Sequence, residues 1–278
     1  MKTSRPDRSS RTTRPEPNDA PYVAWHVLYD YLKSKPLPRV PGKPPLYGHF
    51  QQGDHVSILG PTGTGKTHMA LTIAEIRDYV LVVATKPRDP LVDDTIKRGY
   101  YLVPTNKLEI PHVDGRPHER RVVYWPRLSE KTARDLPESQ RIRARKAMQK
   151  PLVQGAMGYV DFKGHWCLVL DEGTWIYKDL RLGDDIDSAL NQWRSNKASI
   201  IILGQRPAWM GRYVLSQPTH VFLFQTGNIE DAKSLGNITG ANTKLVKEIV
   251  QNLDHEKHEV LYINARTREM FRTIAPPR

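Results

Sequence analysis

The run Gly60-Pro61-Thr62-Gly63-Thr64-Gly65-Lys66-Thr67 restricts the fold of this chain more than any other stretch. An apolar segment at 55–59 precedes it and reads as a short buried strand. Residues 68–76 follow it, with apolar positions three and four apart, as on a helix. Strand, glycine-rich loop and helix in that order form the context of a phosphate-binding loop. The glycines let successive backbone N–H groups turn inward on one anion, and the helix N-terminus adds partial positive charge. Lys66 is placed to reach β- and γ-phosphates, and Thr67 to offer its hydroxyl to Mg²⁺. The expected nucleotide contacts are therefore Gly60, Pro61, Thr62, Gly63, Thr64, Gly65, Lys66, Thr67 and His68, with ATP and Mg²⁺ as cofactors.

A second signal lies downstream. Residues 165–170 form a continuous apolar run, the mark of a strand buried on both faces, and it ends in Asp171-Glu172. Adjacent strand side chains point to opposite sides. Asp171 suits the metal's ligand shell, and Glu172 suits the attacking water. A further apolar run at 198–204 ends in Gln205-Arg206-Pro207. Gln205 at a strand end can hydrogen-bond both the γ-phosphate and the water, and so sense nucleotide state. Pro207 stops the strand.

Other apolar runs at 79–84, 121–125, 219–224 and 260–263 read as strands, the last being the final one expected. Helices are expected at 91–98, within 180–193, at 231–235 and at 242–251. Lys86 stands just past the second strand, at the edge where α/β sheets bind ligands. It is read either as a phosphate or DNA contact or as part of a turn. Tyr47 or Phe50 is read either as an adenine platform or as core.

Composition divides the chain. Residues 1–21 are polar, with Arg5, Arg8, Arg11 and Arg14, and read as a disordered basic tail. Residues 22–48 combine a short amphipathic helix, for docking on the main domain or on a neighbouring subunit, with a Pro-rich linker. Residues 49–274 form the main domain, and 127–155 read as a basic helical insertion. That insertion is either a solvated face or a surface turned to a nucleic-acid backbone. The formal charge of +12 favours a polyanionic partner. Cys167 is the only cysteine, so no internal disulfide forms, and a reducing interior is the natural compartment. No apolar run approaches a membrane span, so no membrane insertion is expected.

A phosphate loop, a strand ending in Asp-Glu and a later strand ending in Gln resemble the additional-strand catalytic-glutamate class of P-loop NTPases. Arg194 ahead of the strand that ends Gln205-Arg206-Pro207, then Gln217-Pro218-Thr219-His220 and Asp231, narrow the resemblance to the FtsK–HerA family of DNA-pumping ATPases. It covers roughly 53–263, with 127–155 poorly matched. The resemblance implies an α/β, RecA-like P-loop NTPase with a mostly parallel central sheet flanked by helices, here with an N-terminal extended arm. It implies a homo-oligomer, a hexameric ring, with double-stranded DNA in its channel. It also implies an arginine that enters the neighbouring subunit's site, for which Arg194 matches and Arg206 is the weaker candidate. The expected catalytic set is Lys66, Glu172, Gln205 and Arg194, and the expected metal ligands are Thr67 and Asp171. The function expected is ATP-driven DNA translocation of the packaging or mobilisation type, in the cytoplasm, or in the host cytoplasm if a virus or mobile element encodes the chain. The alternative is a nucleotide-switched assembly or loading factor that does not translocate DNA.

Overall fold

The computed structural model of the chain describes residues 20–34, 50–235, 238 and 242–277. The expected disordered tail, apart from Ala20 and Pro21, lies outside the described residues, as do Tyr47 and the Pro-rich linker from residue 35 on.

The main sheet has nine strands. In chain order they are β1 (Val56–Leu59), β2 (Tyr79–Val83), β3 (Tyr101–Leu102), β6 (Arg121–Tyr124), β7 (Trp166–Leu170), β8 (Ser199–Gly204), β9 (His220–Phe224), β10 (Glu259–Asn264) and β11 (Met270–Ile274). A small hairpin of β4 (His112–Val113) and β5 (Arg116–Pro117) stands apart from it. The spatial order is β11-β10-β9-β1-β8-β7-β2-β6-β3. From β9 to β3 every pairing is parallel, and only β10 runs against its neighbours. The central strands are apolar at nearly every position because both faces are covered: every residue of β1, β7 and β8 is buried. The register brings Val83 beside Leu170, Leu170 beside Ile202, and Gly204 beside Leu59. The carboxyl ends of β2, β7, β8 and β1 therefore finish on one edge.

The helices are α1 (Trp25–Lys33), α2 (Lys66–Ala74), α3 (Pro90–Lys97), α4 (Glu130–Asp135), α5 (Glu138–Lys163), α6 (Gly183–Gln192), α7 (Arg212–Ser216), α8 (Ile229–Ser234) and α9 (Thr243–Gln251). Local chemistry sets several of their ends. The Asp89 carboxylate accepts from Leu91 N at 3.2 Å, and Pro90 occupies the first turn of α3, where its missing N–H costs nothing. The Asn242 side chain caps α9 in the same way.

Two expectations change, and one open alternative closes. The basic stretch 127–155 is not a separate insertion. Its long helix continues to Lys163, and Val153, Ala156, Met157 and Val160 are buried, so the second half of α5 is the crossover between β6 and β7. The charge-rich first half hid this, because its pattern carries no apolar stripe. The strand β11 was not expected; it lies at the sheet edge with a half-exposed, irregular pattern. Phe50 is core rather than an adenine platform: it is buried, the Arg77 guanidinium lies 3.7 Å from its ring centroid, and it packs edge-on to His220.

The α1 helix docks on its own domain. Leu28 and Leu32 are buried, Tyr31 Oη donates to Glu269 Oε2 at 2.8 Å, and Val23 N donates to Arg272 O at 2.8 Å beside β11. No described helix is long and apolar enough to cross a membrane.

Candidate nucleotide site

The loop 60–65 leaves the carboxyl end of β1 and is anchored there, Gly60 N donating to Gly204 O at 3.0 Å. At its far end Gly65 takes φ +89°, a left-handed conformation that side-chain-bearing residues resist, and so turns the chain directly into α2. Thr64 Oγ1 donates to Pro61 O at 3.0 Å across the loop. Lys66, Thr67 and His68 form the first helical turn, the end of a helix where backbone N–H groups favour an anion. The Lys66 ammonium folds over the loop onto Pro61 O. Burial lowers its pKa to about 8, although Asp171 and Glu172 pull the other way. The His68 ring turns from the loop to Arg98, 3.0 Å from Nδ1.

Asp171 and Glu172 leave β7 beside this loop. Thr67 Oγ1 donates to Asp171 Oδ1 at 2.6 Å, so hydroxyl and carboxylate converge on one point. Two hard oxygen donors with few other protein ligands match the chemistry of Mg²⁺, which keeps waters and phosphate oxygens in its shell. Gly173 lets the turn after Glu172 press on β8: a Cβ there would meet Leu203 O at 2.4 Å. That closeness brings Glu172 to Gln205, whose Nε2 lies 3.5 Å from Glu172 Oε2. Asp231, buried, pins the turn after Gln205 by accepting from Arg206 Nε at 3.2 Å and Ala208 N at 3.0 Å. Arg206 is further held by Glu230 at 3.4 Å and lies over the Trp209 ring, so its charge is already engaged within the chain.

Arg194 is not brought to this cluster. It is exposed just before β8, where its Nη2 donates to Gln217 O at 2.6 Å and to Thr219 Oγ1 at 3.3 Å. It therefore sits at the amino edge of the sheet, about 20 Å from the loop by the length of a six-residue strand.

Lys86 is the residue whose place the sequence left open. Its Nζ lies 2.5 Å from Glu172 Oε1 and 3.3 Å from Asp171 Oδ2. Burial opposes its charge, but the Glu172 hydrogen bond and the two carboxylate charges outweigh burial and raise its pKa. The only signal in the sequence was its position past a strand's carboxyl end.

No family model matches the sequence, and no curated protein matches it. Solved structures do resemble the fold. The genome packaging NTPase B204 from Sulfolobus turreted icosahedral virus 2, in complex with sulfate, aligns with a TM-score of 0.58 and 13% identity, over 82% of this chain and 99% of that one. The DNA-packaging ATPase B204 from Sulfolobus Turreted Icosahedral Virus gives 0.53 and 16% identity, over 82% of this chain and all (100%) of that one. VirB4 of Thermoanaerobacter pseudethanolicus gives 0.56 and 11%, over 81% and 89% of the two chains. At these identities the likeness speaks to the fold, which is the α/β, RecA-like P-loop NTPase fold expected from the motifs.

Proposed function

We propose that this chain is an ATP-hydrolysing DNA translocase of the genome-packaging or DNA-mobilisation type, related to the FtsK–HerA ATPases and working as a ring. The observation that carries the reading is the convergence at one sheet edge of the Thr67–Asp171 pair, 2.6 Å apart, and the Glu172–Gln205 pair, 3.5 Å apart, beside the glycine loop. Its support from the comparisons is a shared fold with packaging NTPases, one of them solved with the ATP analogue AMPPCP.

The loop N–H groups and Lys66 hold the β- and γ-phosphates. Thr67 and Asp171 would hold Mg²⁺, which when bound neutralises charge on those phosphates. Glu172 polarises the attacking water, and Gln205, touching Glu172, reports the γ-phosphate to the turn that Asp231 pins. Charge grows on the γ-phosphoryl oxygens in the transition state, and a guanidinium from outside stabilises it, typically by ~10³–10⁵ in rate. Arg194 is assigned that role on the neighbouring subunit, which agrees with its exposure and its distance from its own loop.

ATP turnover by the purified chain should rise on adding double-stranded DNA. Glu172→Gln should abolish turnover and keep nucleotide affinity. Turnover indifferent to DNA at every salt concentration would sink the motor reading. In the switch alternative a partner would have to meet the outer face of α1, since Leu28 and Leu32 are buried on its own domain. Displacement of a protein roadblock from DNA separates the two, because only a translocase performs it.

A further inference from the structure

Gly53 and Asp54 stand just ahead of β1, at the amino edge of the sheet and away from the phosphate loop. Gly53 takes φ +85°, and a Cβ there would lie 3.1 Å from Arg194 O and 3.2 Å from Arg194 Cα. Glycine therefore lets the turn before β8 close onto this segment, which fixes where the Arg194 side chain begins. It does not fix where so long a side chain ends.

A buried relay does that. Asp54 is 3% exposed. Its Oδ1 accepts from Thr219 Oγ1 at 3.1 Å and from Arg266 Nη2. Its Oδ2 accepts from Gln51 N at 3.0 Å, and His220 Nε2 lies 3.6 Å from it. A hydroxyl has one proton to give. Thr219 gives its proton to Asp54, so the same oxygen has a lone pair left for Arg194 Nη2, at 3.3 Å. Thr219 is itself clamped, its N donating to His55 O at 3.1 Å and its O accepting from Ala265 N at 2.8 Å. Gln217 O takes a second hydrogen bond from the same Nη2, at 2.6 Å.

One nitrogen of the guanidinium is thus held twice, by neutral acceptors. Among the described residues no bond holds Arg194 Nε or Nη1, and Arg194 is in no ion pair. The side chain is exposed, so its charge is left for an anion from outside. An arginine fixed at one end gives up little rotamer freedom when the other end meets that anion, and orientation of this kind is what a transition state rewards.

We propose that Asp54 and Thr219 are positioning residues for Arg194. Asp54 orients the Thr219 hydroxyl, Thr219 holds Nη2, and the remaining N–H groups are presented to the γ-phosphoryl oxygens of the neighbouring copy. Their role rests on the ATPase reading and on Arg194 acting in trans.

Turnover, ATP affinity by calorimetry and mixing of full-length variants test it. Thr219→Val keeps the shape and removes the hydroxyl. Its kcat should fall by up to about 10²-fold, the scale of a misplaced reacting group, with ATP affinity unchanged. Thr219→Ser should recover most of the loss. Mixed with Glu172→Gln, the Thr219→Val chain should exceed the sum of the two alone, because its own loop and glutamate are intact. Mixed with Arg194→Ala it should not, because both chains then lack a working arginine. Thr219→Ala repeats the series if the valine variant fails to fold. A folded hydroxyl-free variant as fast as the unaltered chain overturns the relay. So does a loss that serine leaves unrepaired or that Glu172→Gln does not complement. Full turnover in Arg194→Ala removes the arginine reading itself, whereas a slow Arg194→Ala beside a fast Thr219→Val removes the relay alone.

Discussion

At the scale of single residues, the site works by keeping charge where it is unwelcome. Lys66 is held in a setting that lowers its pKa to about 8, because burial penalises the ammonium more than the nearby carboxylates support it. Phosphates favour the protonated form, so binding raises that pKa, and above pH 8 it takes up a proton. ATP affinity should therefore be flat below pH 8 and fall by up to about tenfold per pH unit as pH rises above it. Calorimetric titration from pH 7 to 9.5 checks this, and Lys66→Ala, weak throughout, should lack the bend. The meeting of Thr67 with Asp171 beside the loop was legible, because each lies at a fixed spacing from the carboxyl end of a buried strand. The pairing of Lys86 with Glu172 was not, since the two are remote in the chain and meet only because β2 lies against β7.

Among the elements, α5 joins two environments in one helix. Its first half carries Arg141, Arg143 and Arg145, its second half is core, and Gln149 marks the join. Gln149→Leu leaves two carbonyls, Thr85 O and Pro126 O, and the Trp175 N–H without partners, each worth about 1–3 kcal/mol when buried. Chemical denaturation should show a loss of several kcal/mol, and Gln149→Glu should recover only part of it, because a carboxylate cannot donate to both carbonyls. Strands with both faces covered were legible from their continuous apolar runs. The edge strand β11 and the short β3 were not, since a half-exposed strand of few residues leaves no distinctive period.

For the whole molecule, the separation of Arg194 from the glycine loop sets the test of the proposed ring. With Arg194 at the opposite edge of its own sheet, a site that uses it draws on a second chain. Mixing inactive Arg194→Ala with inactive Glu172→Gln should restore part of the turnover, because some interfaces then carry an intact loop, glutamate and arginine. Turnover in the mixture equal to the sum of the separate variants would remove Arg194 from the reaction. Specific activity should likewise rise with protein concentration as copies assemble.

The chain by itself determined the loop and its helix, the carboxylates and glutamine that end β7 and β8, and the parallel α/β class, because each follows from residues a few positions apart whose backbone geometry is short-ranged. Only the tertiary structure decided that Lys86 clasps Glu172, that α1 covers its own sheet edge and that Arg194 lies far from the loop. Those facts depend on which strands become neighbours, and strand order is set by the packing of the whole core rather than by any local run of residues.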